Sequence, residues 1–384
     1  MLIGIDASRA FVKDRTGTEN YSYQLIRAIA KIDRKNKYIL FTRFPTNHFK
    51  PGLVYAGDPV LQALPENFTI KNIPLKRLWT QVGLAKELFF NPTDVLFIPA
   101  HTLPLIRKPR LKTVVTIHDL GYEYLPQYHK FPHKFYLNKS TEYAVWQSDH
   151  LIAVSEATKK DLINKLRCQE KKISVIYEGF DRAKFFPDKS SKTDKPFILF
   201  VGTLQPRKNI ERLIEAFSLV VRSLPSRSNS PKPPDLVIAG NKGWMYDEIL
   251  SAPAKFGVLD KVKFLGYTKE DDLPALYSGA LVFCLPSLFE GFGLPVLEAM
   301  ACGCPVIVSK TSSLPEVVGE AGIYVDPLDV SDIAKNLQSL IMNFKLREKL
   351  SKKSLEQAKK FSWEKAAKET IGVLERTIFL PSAP

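Results

Sequence analysis

The chain alternates short apolar runs with stretches that carry apolar residues at helical spacing. Residues 2–7, LIGIDA, form the first run, and residues 18–32, TENYSYQLIRAIAKI, the first helical pattern. Further apolar runs fall at 38–44, 94–100, 113–119, 150–155 and 174–181. They are rich in β-branched residues and bounded by polar ones, as parallel strands buried on both faces are. Residues 156–166 predict a helix that Ser155 caps, with Glu156 in its first turn.

Residues 187–196, PDKSSKTDKP, are polar, charged and bounded by proline, which predicts a linker. The pattern then restarts with a strand over 197–203 and a helix over 209–224. A proline-rich loop covers 225–235. Strands are expected at 235–240, 261–266, 281–286, 305–309 and 322–326, and a last helix at 362–379. Strands alternating with helices in both halves predict two doubly wound α/β domains. A length of 384 residues is itself too great for one ordinary core. The expected division is 1–187, a linker at 188–196, and 197–361. The final segment, about 362–384, would pack on either domain, with a return to the first favoured. Sheets of this kind bind ligands beyond the carboxyl ends of their strands, so two domains facing across a cleft would enclose a reaction.

The most informative segment is residues 290–298, EGFGLPVLE. It carries two carboxylates, one before a helix and one inside it. Pro295 stands where a first helical turn begins, a position that does not need its missing N–H. Unpaired N–H groups at that helix start, aided by the helix dipole, favour a bound anion. A sugar-bearing phosphate ester fits the arrangement. Glu298 lies among Val296, Leu297, Ala299 and Met300, where a charge without a partner would be costly.

Upstream, the strand at 197–203 ends in Gly202 and Thr203, and Arg207 and Lys208 precede the next helix. Glycine allows close backbone approach, and the two cations can neutralise a diphosphate. Alone, such a pair also fits a solvated loop end. No GxxxxGK[ST] pattern occurs, and no GxGxxG follows the first strand, which argues against an ATPase and a standard dinucleotide dehydrogenase. No His, Asp and Glu set has a metal-ligand spacing, and the cations can serve as the diphosphate clamp instead. The cysteines, Cys168, Cys284, Cys302 and Cys304, form neither a disulfide framework nor a zinc spacing. Buried free thiols fit a reducing cytosol. The opening residues read as a strand rather than a signal peptide, and no apolar run is long enough to span a bilayer.

The net charge of +15 is uneven. Residues 1–190 hold 30 Lys/Arg against 18 Asp/Glu, and the remainder 25 against 22. A basic first half suits a polyanionic partner such as a membrane surface, or simply solubility. A nucleic-acid partner lacks any recognisable module.

Taken together, the EGFGLPVLEA context of Glu290 and Glu298 and the GTLQPRKN segment resemble the retaining GT-B glycosyltransferases of family 4. Residues 114–120, VVTIHDL, 152–156, IAVSE, 178–181, EGFD, and 313–319, SLPEVVG, extend the resemblance over nearly the whole chain. It is looser before residue 110. The resemblance implies the GT-B fold and metal-independent transfer of a hexose from a nucleotide diphosphate sugar. Arg207 and Lys208 would hold the diphosphate. Glu290 would contact the donor sugar near its reacting carbon. Backbone N–H groups of Phe292, Gly293 and Leu294 would meet sugar or phosphate, and Glu298 the ribose hydroxyls. Gly202 and Thr203 would line the donor site.

In the first domain the family's glycine loop corresponds to residues 16–21, TGTENY, with Gly17 and Thr18 near the phosphates. It departs from the commoner double-glycine form, and a plain loop-to-helix turn is the alternative. Arg9 and Arg15 add charge nearby. His118 and Asp119 match the family's His-Asp position and would contact the transferred sugar or the acceptor. Retention of configuration needs a covalent carboxylate intermediate or same-face attack, and the resemblance favours the second.

The segments GTLQPRKN and HDLGYEYLPQYH look most like bacterial mannosyltransferases that use GDP-mannose. UDP-glucose and related donors stay open, as does a sugar-nucleotide-binding protein without catalysis. No further cofactor is implied. The expected acceptor is a saccharide or lipid-linked saccharide of a cell-surface polysaccharide. The expected location is the cytoplasm, on the inner membrane face if KRLW (76–79), RKPRLK (107–112) and HKFPHKFY (129–136) touch anionic lipid.

Overall fold

A computed structural model of the chain describes all residues except 13, 14, 16, 44–63, 76, 125–132, 189–194, 224–232 and 381–384. The side chains of 122 and 133–138 are likewise left undescribed. Thr16, Lys76, residues 129–132 of the basic segment, most of the expected linker and most of the proline-rich loop therefore lie outside the described residues.

The chain forms two compact units. The first contains Met1–Tyr122, His129–Gly179 and Trp363–Pro384. Its sheet has seven parallel strands: β1 (Leu2–Asp6), β2 (Lys37–Thr42), β3 (Phe68–Asn72), β4 (Val95–Ile98), β5 (Lys112–Ile117), β6 (His150–Ala153) and β7 (Ile173–Val175). Their order is β3-β2-β1-β4-β5-β6-β7. The chain winds outward from β1 to β3, then crosses back to β4. Strand order reverses between β1 and β4, which opens a crevice at the carboxyl ends there. All residues of β4, β5 and β6 are buried, as the apolar runs predict. β3 was not among the apolar runs. As an edge strand it alternates buried and exposed positions, so its sequence, FTIKN, carries polar residues.

The helix Gly17–Ile32 buries Tyr21, Leu25, Ile26 and Ile29. The last helix, Trp363–Thr377, packs beside it, with the Trp363 ring centroid 5.8 Å from that of Tyr21. The surface pair Lys31–Glu364 joins the two helices at 3.3 Å, and Lys35, just past the first, pairs with Glu375 at 3.2 Å; such exposed pairs add little stability. The apolar seam holds them together.

The second unit holds Phe180–Ser362, with Glu123–Tyr128 grouped to it. Residues 180–188 belong here: the Phe185 ring lies edge-on to Tyr277 at 6.1 Å, and the Asp188 N–H donates to Ser278 Oγ at 3.0 Å. Its sheet has six parallel strands: β8 (Phe197–Val201), β9 (Asp235–Ala239), β10 (Val262–Gly266), β11 (Val282–Leu285), β12 (Val306–Ser309) and β13 (Gly322–Val325). The order β10-β9-β8-β11-β12-β13 reverses between β8 and β11. Both units are thus Rossmann-like. All four cysteines are buried and free. Among the described residues no helix is long and apolar enough to cross a membrane.

Candidate active site

In the second unit the motif residues gather where the strand order reverses. β8 delivers Gly202 and Thr203, and β11 leads into residues 286–293. The Gly202 N–H donates to the Ala239 carbonyl at 2.9 Å. A Cβ at Gly240 (φ 150°) would lie 2.0 Å from the Gly202 oxygen, so the two loop backbones touch in a way only glycine permits. A short 3₁₀ turn, Pro206–Lys208, ends at Asn209 in the left-handed region (φ 59°). That turn aims Arg207 and Lys208 at the loop after β11.

There both cations meet Glu290. Lys208 Nζ lies 2.6 Å from Oε1 and Arg207 Nη1 3.1 Å from Oε2. Arg207 Nη1 also donates to the Phe289 carbonyl at 3.0 Å. Glu290 is 5% exposed and Lys208 7%. Burial by itself would raise the carboxyl's pKa. The charge of Lys208, then that of Arg207, outweighs it and holds Glu290 at about 2. Two cations on one carboxylate leave the cluster one unit positive, an arrangement suited to an anionic group.

Side chains distant in sequence hold this loop rigid. The Asn209 amide donates to the carbonyls of Pro286 (2.9 Å) and Pro327 (2.6 Å). Ser312 Oγ accepts the Glu290 N–H at 3.0 Å, and Ser313 Oγ donates to the carbonyls of Glu290 and Phe292 at 3.0 Å. Sequence reasoning assigned none of these three a role, although all sit in or beside the GTLQPRKN and SLPEVVG segments.

Gly293 (φ 103°) precedes the helix Leu294–Ala301, and Pro295 sits in its first turn. That positive φ strains any residue with a side chain, so this turn requires glycine, and a Cβ there would also lie 2.7 Å from Leu314 Cδ2. The Phe292 side chain is buried, its ring edge-on to Phe361 at 5.9 Å, which leaves only its backbone to face a ligand. Glu298 is also buried and accepts a hydrogen bond from Tyr277 Oη at 3.0 Å. Burial first, and then the Glu298 charge, raises that phenol's pKa well above its usual value. Tyr277 answers how a carboxylate persists among apolar neighbours, and nothing in its local sequence marks it.

In the first unit, His118 and Asp119 follow β5 and Gly17 opens the helix Gly17–Ile32. A Cβ at Gly17 would meet no atom within 4 Å, so the protein itself does not demand glycine there. The Thr18 carbonyl accepts from Ser22 Oγ at 2.9 Å, and Asp119 Oδ1 accepts the Gly121 N–H at 2.9 Å. His118 Nε2 donates to the Pro99 carbonyl at 2.8 Å, and Nδ1 lies 3.5 Å from Glu178 Oε1. Ser155 caps its helix, accepting the Thr158 N–H at 3.0 Å. Among the described residues no group of three or more His, Cys, Asp or Glu is placed to hold a metal ion.

Comparison with known proteins gives the family and the fold. Residues 15–184 match the family described as Glycosyltransferase Family 4, and residues 181–357 that described as Glycosyl transferases group 1. O-antigen chain mannosyltransferase B of Escherichia coli is 34% identical over 270 residues, covering 68% of this chain and 69% of that protein. O-antigen chain mannosyltransferase RfbU of Salmonella typhimurium is 30% identical over 336 residues, covering 86% and 88%. Among solved structures, sucrose-phosphate synthase from Thermosynechococcus elongatus superposes with a TM-score of 0.76 at 20% identity, covering 98% of this chain and 99% of that one. WaaG, a glycosyltransferase involved in lipopolysaccharide biosynthesis, gives 0.72 at 15%, covering 97% and 99%. These two attest to the fold, which is GT-B.

Proposed function

The chain belongs to the glycosyltransferases that join a family 4 segment to a group 1 segment, and from that premise we propose that it transfers mannose from GDP-mannose to a saccharide or lipid-linked saccharide. The observation that carries the reading is the Lys208–Glu290–Arg207 cluster at the strand-order reversal of the second sheet. The anomeric carbon's bond to the diphosphate breaks, a bond to the acceptor oxygen forms on the same face, and the acceptor proton passes to the leaving phosphate oxygen. Arg207 and Lys208 stabilise the charge that grows on that phosphate, the work an ordered cation does best in a water-poor site. Glu290 holds the cations in line and orients the sugar, and Glu298 takes the ribose hydroxyls. The transfer needs no metal, because the two side chains supply the positive charge.

The mannosyl assignment rests on the two O-antigen mannosyltransferase relatives and on the local segments quoted above. A panel of nucleotide sugars tests it by thermal shift, since a donor that binds the folded protein raises its melting temperature. GDP-mannose is expected to raise it most. A larger shift with UDP-glucose, and none with GDP-mannose, would replace the donor. Product analysis by NMR should show the anomeric configuration of the donor retained.

The same reading places the enzyme on the inner face of the cell membrane, in polysaccharide synthesis. Leu78 and Ile106 are 70% and 68% exposed in the first unit, beside exposed Arg77, Lys108 and Arg110. Gln81 ties their two segments together: its Nε2 donates to the Leu103 carbonyl at 3.1 Å and its Oε1 accepts the Leu105 N–H at 2.8 Å. Apolar side chains with a basic rim suit an anionic lipid surface. In flotation, vesicles with phosphatidylglycerol should carry the protein, and vesicles of phosphatidylcholine alone should not. Equal recovery with both would remove the lipid assignment.

A further inference from the structure

A buried group of polar side chains lies at the carboxyl end of the first sheet, and one member, Glu178, has no part in the reading above. Glu178 follows β7 and is 4% exposed. Its Oε1 faces His118 Nδ1 at 3.5 Å. On the other side of the ring, Nε2 lies 2.8 Å from the Pro99 carbonyl oxygen, which can only accept. The Nε2 hydrogen is therefore committed to Pro99. Glu178 thus stands against the ring's other nitrogen edge. The other neighbours cannot take Glu178's place. Tyr21 presents its ring edge-on to His118 at 4.6 Å and directs its hydroxyl to Thr116 Oγ1 at 3.3 Å. His101 lies edge-on at 5.7 Å, and burial, then the proximity of His118, lowers its pKa to about 4, so it is neutral. Asp119 and Arg9 also act on His101, in opposite directions.

We infer that Glu178 is the positioning residue for His118: its buried carboxylate sets the ring's orientation from the Nδ1 side. The inference rests on the glycosyltransferase reading for what the ring does, but not for how the ring is held. A His118 that contacts sugar or acceptor would do so from a ring braced by a carbonyl on one nitrogen and a carboxylate on the other. The carboxylate reaches it from β7, through a sequence separation that no motif spacing expresses.

The test is Glu178→Gln beside Glu178→Asp in the full chain. Glutamine keeps the size and can still donate to a bare Nδ1, so the ring stays in place while the carboxylate is lost. With GDP-mannose as donor, kcat should fall about ten- to a hundredfold, a typical cost of losing the group that orients an imidazole, with KM for the donor unchanged. Aspartate, which keeps the carboxylate, should recover most of the lost kcat. A glutamine variant with the wild-type kcat, or an aspartate variant no better than glutamine, overturns the inference. Imidazole ¹⁵N spectra, with His118 assigned through His118→Gln, give a readout free of activity. The His118 signals should move in Glu178→Gln, and unmoved signals also overturn the inference. If the wild-type protein transfers no sugar at all, the functional reading falls, and the spectra still judge the pairing.

Discussion

Replacing Glu290 by glutamine is expected to lower kcat about a hundred- to a thousandfold, the usual loss when one preorganised polar group leaves a reaction centre. The variant should also be less stable, because Lys208 is left buried without an opposite charge. Breaking a buried pair from one side costs about 3–5 kcal/mol. The amide oxygen still accepts one hydrogen bond, so the loss should fall at the lower end. The pH dependence separates this from a packing effect. Glu290 has its carboxyl lowered from 4.5 to about 2 in the folded protein. A lowered folded value means the carboxylate's contribution is fully present above the unfolded value. It fades as pH falls through the window from about 4.5 to about 2. At about 1.4 kcal/mol per unit, the amount lost is on the order of 3 kcal/mol. Urea unfolding of both proteins between pH 5 and pH 2 should show their stabilities converging toward acid. A gap that stays constant would mean that Glu290 is not the paired carboxylate described here.

Replacing Lys208 by alanine should cost more activity than replacing Arg207. Both cations face the same carboxylate, but the Lys208 side chain is 8% exposed and that of Arg207 26%. A charge shielded from water acts on a developing phosphate charge with less screening. Lys208→Ala is expected to lose about a hundredfold or more in kcat, and Arg207→Ala about tenfold. Lys208→Arg should not restore the activity, since a planar guanidinium does not fit a pocket closed around an ammonium. Single-turnover transfer and calorimetric binding of GDP to each variant measure the two effects. A larger loss at Arg207 would reverse the assignment of the main phosphate partner.

Much of the second unit's site was legible because its residues come in local segments. The two glutamates, Gly293 and Pro295 lie on one turn and one helix, and that turn's geometry follows from residue types. The apolar strands were legible for a similar reason. β4 is covered on both faces and is apolar at every position, and β5, equally buried, carries the apolar run Val114, Val115 and Ile117. β3 escaped notice because an edge strand needs apolar residues only on its inner side. The partners of the site escaped notice for a different reason. Lys208 and Glu290 are 82 positions apart, Tyr277 and Glu298 21, and the Glu178 contact to His118 crosses from β7 to β5.

The sequence by itself determined the alternation of strands and helices, the turn that needs Gly293, and the segments that carry Arg207, Lys208, Glu290 and Glu298. Those features depend on backbone preference and on periodicity within a few residues. Only the tertiary structure decided that both cations close on Glu290, that Tyr277 accompanies Glu298, and that Glu178 braces His118. Each of these contacts depends on which strands lie side by side and where their order reverses. Sheet order is settled by the burial of whole strand faces against helices from elsewhere in the chain, and no local spacing records it.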